Sequence, residues 1–202
     1  MKSVLISTQP NWCQKICHNI GERRDGTLIY EKEVEIRKTM PKLQTPFKCY
    51  IYCTYGEGLI EYSDECMPNM LIGQKVTKDN IWSNCCNGKI IGEFICDKMF
   101  PIRVFENGTI QDYMFYNMER SCVPYDDIVA YIGKGKTGYG WGISDLVIYD
   151  KPKELSEFEV ECKGGCDFPY VYEPPCKNCG KNKLKRAPQS WCFVQEIYNG
   201  KE

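Results

Sequence analysis

The sequence predicts a sheet-dominated α+β fold, a small and partly open β-barrel flanked by two short helices. Three observations carry this reading. Runs rich in β-formers recur along the chain with unequal lengths and spacings. Only two stretches carry helix signals, and both are short. No repeat or low-complexity tract points to a solenoid or array.

Val4-Leu5-Ile6-Ser7 opens the chain as a short strand. Pro10 then starts a helix over 11–19, because proline is tolerated in a first helical turn. Residues 19–31 are polar and glycine-containing, which predicts an exposed loop or hairpin tip. Over 32–38, Lys-Glu-Val-Glu-Ile-Arg-Lys alternates with period two. That is the pattern of a strand with Val34 and Ile36 toward the core and Glu33, Glu35 and Arg37 on the other face. Pro41 and Pro46 punctuate a loop, and 47–54 reads as a buried strand. Residues 55–87 contain too few apolar side chains for a core of their own and read as an insertion. Lys89–Asp97 is the clearest strand in the chain. Pro124 and the acids Asp126 and Asp127 mark the start of a second helix ending at Ile132. Tyr139–Tyr149 reads as one strand bent at its glycines, and Ser190–Ile197 as the last strand.

At 202 residues the chain supports one core, so 1–202 reads as a single domain with additions at about 19–31, 55–87 and 160–185. A net charge of −1 and a pI near 6.0 give no global attraction to nucleic acid or anionic membrane. Any nucleic-acid site must therefore be a local patch. No apolar run approaches the roughly 18 residues of a membrane span. The three apolar residues Val4–Ile6 fall short of a secretory core segment, so a cytoplasmic location is expected.

That compartment argues against a disulfide framework for the 14 cysteines. Cys49, Cys53, Cys96 and Cys192 read as small buried hydrophobes, as do Cys13 and Cys17 on the first helix. Cys162, Cys166, Cys176 and Cys179 differ. They form a C-x3-C…C-x2-C array in which glycines 164, 165 and 180 supply the turns. Two closely spaced thiol pairs suit tetrahedral zinc, and four thiolates leave no open position, so the zinc would be structural. Residues 176–186 contain five basic side chains, Lys177, Lys181, Lys183, Lys185 and Arg186, and no acid. This segment is either a solvated loop or a phosphate-facing patch.

The order Ile6-Ser7-x-x-Pro10-x-Trp12, Lys32-x-x-Glu35-Ile36-Arg37-Lys38, Lys89-x-Ile91-Gly92-Glu93-Phe94, Trp141-x-Ile143-Ser144-Asp145-Leu146 and Pro188-Gln189-Ser190-Trp191 resembles the ASCH domain of the PUA-like superfamily. Bacterial and phage members look closest. The resemblance implies a PUA-like mixed barrel with a cleft beside the first helix, and binding of RNA or a modified nucleobase. In similar domains the cleft is lined by the Lys and Glu-x-Arg run, here Lys32, Glu35 and Arg37, with Trp12, Trp141, Gln189, Ser190 and Trp191 as neighbours. The residue chemistry is compatible with this. Trp12, Tyr139, Trp141 and Trp191 could stack on a base, Glu35 could accept from an exocyclic amine, and Arg37 could bind phosphate or a base carbonyl. The competing structural readings are core packing for the tryptophans and a surface ion pair for Glu35 and Arg37.

Two other functions remain open on the sequence. Some ASCH-like proteins resemble amidohydrolases acting on N4-acylated cytidine. Lys32 matches their catalytic Lys, but Glu35 stands where they have Thr, and the third group has no match beyond Glu119. The insertion and the cysteine segment could instead dock a protein partner. The glycine-rich run 133–138 lacks the order of a phosphate-binding P-loop and reads as a turn in which Lys134 and Lys136 could meet a phosphate.

Overall fold

The computed structural model describes residues 3–62, 68–76, 85–111, 118–160, 184 and 186–196, with the side chains of 58–62, 68–76 and 196 outside the description. The elements run β1 (Ser3–Thr8), α1 (Pro10–Cys17), β2 (Asn19–Glu22), β3 (Leu28–Tyr30), β4 (Val34–Arg37), β5 (Phe47–Cys53), β6 (Gly56–Tyr62) and β7 (Pro68–Val76). They continue with β8 (Ile90–Cys96), β9 (Met99–Arg103), α2 (Tyr125–Ile132), β10 (Thr137–Gly142), β11 (Ser144–Lys153), β12 (Phe158–Val160) and β13 (Trp191–Glu196).

Six strands form the main sheet in the order β11-β8-β5-β1-β13-β12, with β1 parallel to β5 and antiparallel to β13. Its central strands β1 and β5 are apolar on both faces because both faces are covered. In β1, Val4 and Ile6 join Cys49, Ile51, Phe94 and Trp141 on one side, while Leu5 joins Tyr50, Tyr52 and Phe158 on the other. A three-stranded sheet, β4-β10-β9, lies against the first side. Its outer face carries Val34, Ile36, Phe100 and Ile102, which α2 covers with Ile128 and Ile132. The sheet-dominated α+β organisation with two short helices is the one expected. Among the described residues the sheets do not close into a continuous hydrogen-bonded ring.

The predicted elements at β1, α1, β5, β8, α2 and β13 form within a residue or two of their expected ends. Residues 19–31 are the β2–β3 hairpin. Within the insertion at 55–87, β6 and β7 pair as an antiparallel hairpin. Two readings need correction. The bent strand 139–149 is two strands, and the chain changes sheets at Ile143, whose amide donates to the Glu33 carbonyl (2.9 Å). The second concerns β4, whose second face is not solvated. All four of its residues are buried, because Glu35 and Arg37 point between the sheets, on the same face as their cross-strand partners Trp141 and Tyr139.

Two glycines make the packing possible. A side chain at Gly140 would fall inside the Phe100 ring, so β10 and β9 approach only with glycine there. At Gly92 a Cβ would lie against the Val147 carbonyl, where β11 bulges over β8. Strand β9 carries Pro101 and was not expected. It is an edge strand, where a missing amide leaves no gap in the ladder.

The cysteines expected in the core are there. Cys13, Cys17, Cys49, Cys53 and Cys96 are buried and Cys192 is half-buried, and the nine described cysteines are all free thiols. Burial pushes the thiols of Cys13, Cys17 and Cys49 upward, and that of Cys96 up to about 12. They are therefore protonated and inert at neutral pH.

Candidate functional site

A cleft of about 560 Å³ opens between α1, β4, α2 and the adjoining ends of β1 and β13. Strand β1 ends at Ser7 and Thr8 just where β13 begins, and the Ser7 amide donates to the Ser190 carbonyl (2.9 Å). Pro10 starts α1 immediately afterwards and places Trp12 on the cleft wall. After the β2–β3 hairpin the chain returns alongside α1, where the Lys32 amide donates to the Lys15 carbonyl (3.0 Å).

The floor is an ionic cluster from which water is nearly excluded. Arg37 Nη2 meets Glu35 Oε1 at 2.8 Å, and Lys32 Nζ lies 3.4 Å from Glu35 Oε2. The side chains are 1% (Lys32), 8% (Glu35) and 6% (Arg37) exposed, too buried to be the surface pair considered above. Lys32 Nζ also donates to the Ser121 carbonyl (2.6 Å) and sits 5.1 Å from the centre of the Trp12 ring. Arg37 donates from Nη1 to the carbonyls of Ser7 (2.9 Å) and Ser190 (3.2 Å), and from Nη2 to Thr8 Oγ1 (3.1 Å). Two atoms of the cluster stay incompletely satisfied. Arg37 Nε is buried without a hydrogen-bond partner among the described residues, and Glu35 Oε2 has only the 3.4 Å ion pair with Lys32. Such groups are uncommon in folded proteins and cost on the order of 1–3 kcal/mol each unless a ligand or water completes them.

The structure separates the sequence candidates into groups. Trp12, Lys32, Glu35, Arg37 and Gln189 line the cleft together. Ser190 contributes its carbonyl to Arg37. Trp141 is fully buried behind the cluster, with no ring face open to a ligand, and Tyr139 packs against the same core. Trp191 stacks beyond Trp141 at 6.2 Å between ring centres and donates from Nε1 to Thr39 Oγ1 (2.9 Å). These three support the cleft from behind, which is the core-packing role weighed for the tryptophans. Arg186 is exposed and does not line this cleft. Lys183, Lys185 and the four cysteines Cys162, Cys166, Cys176 and Cys179 lie outside the described residues.

Sequence reasoning missed the contribution of α2. Asp127, Ile128 and Tyr131 line the cleft opposite Trp12. The signal was available, since Asp127 and Tyr131 are four apart and share a helix face. A second cavity of about 470 Å³ lies on the other side of Lys32, lined by Arg23, Glu33, Arg120 and Lys98 among others. There Glu33 is held between Arg23 (3.2 Å) and Arg120. Glu119, the guessed third catalytic group, lines neither cavity.

Burial lowers the Lys32 ammonium below its usual 10.5, and the neighbouring Glu35 carboxylate partly offsets this. The unfolded chain therefore binds this proton more tightly than the folded one, and stability rises with pH between the lowered value and 10.5. Denaturant unfolding of the wild type and Lys32→Met across that window should show the wild type gaining on the variant as pH rises. A difference that stays flat or shrinks would mean that Lys32 keeps an ordinary pKa.

No protein-family model matches the chain, and no curated protein does. Among solved structures it is similar to the ASCH protein of Zymomonas mobilis, at 14% identity and a TM-score of 0.46 over 76% of this chain and 73% of that one. A tyrosine-to-phenylalanine variant of the same protein gives 13% and 0.45 over 77% of each chain. A serine-to-alanine variant gives 14% and 0.45 over 76% and 74%. All three are structures of one ASCH protein.

Proposed function

We propose that the cleft binds a single nucleobase, plain or modified, presented by unpaired RNA. The observation that carries this reading is a pair of buried polar atoms on residues that line the cleft beside Trp12: Arg37 Nε, which has no hydrogen-bond partner among the described residues, and Glu35 Oε2, which is held only by the 3.4 Å ion pair with Lys32. One is an acceptor and the other a donor, the combination that a base edge complements. Trp12 supplies an aromatic face, and Gln189 can donate or accept at the rim. The volume falls within the usual range of small-ligand pockets, roughly 300–1,000 Å³. The resemblance to ASCH domains points the same way. Arg37 has a different part from the one expected of it. Its terminal nitrogens are committed to Glu35, Thr8 and two carbonyls, so it orients the floor rather than gripping phosphate.

A second reading, an amidohydrolase acting on N4-acylated cytidine, is favoured by the lowered pKa of Lys32 beside Glu35. A lysine that gives up its proton more readily is a better general base. Against it, Glu35 has no hydroxyl to acylate. Any hydrolysis would need water as the nucleophile, with the acyl group leaving as a carboxylic acid and the cytidine amine recovering a proton.

The zinc assignment for Cys162, Cys166, Cys176 and Cys179 stands as part of the same proposal. The metal would fix the basic segment 176–186, which returns to the described fold at Leu184. There the Leu184 amide donates to the Phe158 carbonyl (2.8 Å), and the side chain is buried.

Two measurements test these assignments. Titration with short single-stranded RNA, duplex RNA and duplex DNA at two salt concentrations should give tightest binding to single-stranded RNA. Trp12→Ala should lower that affinity about tenfold, as expected for loss of one stacked base. Equal affinity for all three nucleic acids, or full affinity in Trp12→Ala, would overturn the cleft reading. Turnover of N4-acetylcytidine by the wild type would move the assignment to the hydrolase. For the metal, elemental analysis should find one zinc per chain, lost in both Cys176→Ser and Cys179→Ser. Retention of full zinc by both variants would contradict the four-cysteine site.

A further inference from the structure

We infer that the cleft-facing side of α2, with Lys38, is a subsite for the ribose and the neighbouring nucleotide, making the cleft selective for RNA over DNA. This rests on the nucleobase reading and adds to it the sugar and the direction of the strand.

Asp127, Ile128 and Tyr131 all line the cleft. Ile128 is buried and anchors the helix to the β4 sheet, whereas Asp127 and Tyr131 stand at the rim. Among the described residues the Asp127 side chain takes part in no hydrogen bond or ion pair, and it is exposed at the cleft rim. The helix dipole favours an acid in the first turn, and Asp126 and Asp127 both stand there. Of the two, only Asp127 lines the cleft. A carboxylate accepts hydrogen bonds and donates none. Beside a base held on the cleft floor, the donor that fits it is a ribose hydroxyl, and the 2′-hydroxyl is the group by which a protein distinguishes RNA from DNA.

Tyr131, four residues on, is 40% exposed, and Lys38 Nζ lies 4.9 Å from the centre of its ring. Lys38 is exposed just past the end of β4 and does not line the cleft itself, so this cation stands outside it, beside Tyr131. An exposed aromatic ring beside an ammonium offers a stacking face for the next base and a positive charge for the phosphate between the two. The charged residues lining the cleft are Lys32 and Arg37 against Glu35 and Asp127, and Lys38 beside Tyr131 adds one positive charge outside it.

The test uses the full chain with an RNA hexamer, the DNA hexamer of the same sequence and the four ribonucleosides as probes. Wild type should bind the RNA hexamer about tenfold or more tightly than the DNA hexamer, the discrimination expected from one hydrogen bond to a charged group. Asp127→Asn should reduce that ratio to within about threefold, with thermal unfolding of the variant measured alongside to verify its fold. Tyr131→Ala should weaken the RNA hexamer at least about fivefold more than it weakens the best-bound ribonucleoside. A wild type that binds DNA as tightly as RNA, or an Asp127→Asn ratio equal to wild type, overturns the subsite while leaving base binding intact. Equal losses on hexamer and ribonucleoside in Tyr131→Ala would return Tyr131 to the base pocket and remove the flanking position. Failure of every probe to bind overturns both this inference and the nucleobase reading.

Discussion

Arg37 is the point at which the two sheets meet. It belongs to β4, at the edge of the three-stranded sheet, but its guanidinium donates to the carbonyls of Ser7 and Ser190 in the main sheet. Those two residues close the junction between β1 and β13, so one side chain fixes β4 against both strands. Glu35 lies two residues earlier, on the same face of β4, and neutralises it (2.8 Å). Lys32 completes the row and ties it to the turn before α2 through the Ser121 carbonyl. The position of α1 and α2 on either side of the cleft follows from this arrangement.

A cluster of this kind is a poor way to gain stability. Removing charges from water costs several kcal/mol per ion, and well-packed apolar side chains of similar volume often serve as well or better. The local environment makes apolar packing readily available, since Trp141, Val34 and Ile36 are all buried close by. Three charges stand there all the same, on residues that line the cleft, with Arg37 Nε lacking a hydrogen-bond partner among the described residues; the proposed recognition of a base gives them a purpose that packing does not. A floor already oriented by Arg37 also loses little freedom when a ligand arrives, which favours affinity through preorganisation.

Much of this was legible in the sequence, for identifiable reasons. Where a strand or helix carries its own punctuation, as at Pro10, Pro124 or the apolar run 89–97, local chemistry suffices to place it. The residues of the floor were legible too, because the period-two pattern at 32–38 correctly puts Glu35 and Arg37 on one face. Their environment was not. Alternation separates two faces, but only the tertiary fold decides that the polar face of β4 is covered by β1 and α1. The same limit hid the change of sheet at Ile143, where a continuous run of β-formers spans two sheets without a break in composition. For α2 the spacing of Asp127 and Tyr131 places both on one helix face, but only the tertiary fold decides that this face borders the cleft.

The measurement that bears most directly on this account is a comparison of Glu35→Met with the triple variant Lys32→Met/Glu35→Met/Arg37→Met, following thermal stability and RNA affinity together. The single change leaves the buried Lys32 and Arg37 without their carboxylate and should cost about 3–5 kcal/mol, while the triple change should recover most of that stability and still fail to bind. A triple variant that binds RNA as wild type does would show that the charges are not what the cleft uses. A triple variant as unstable as the single one would show that they are held for structure after all.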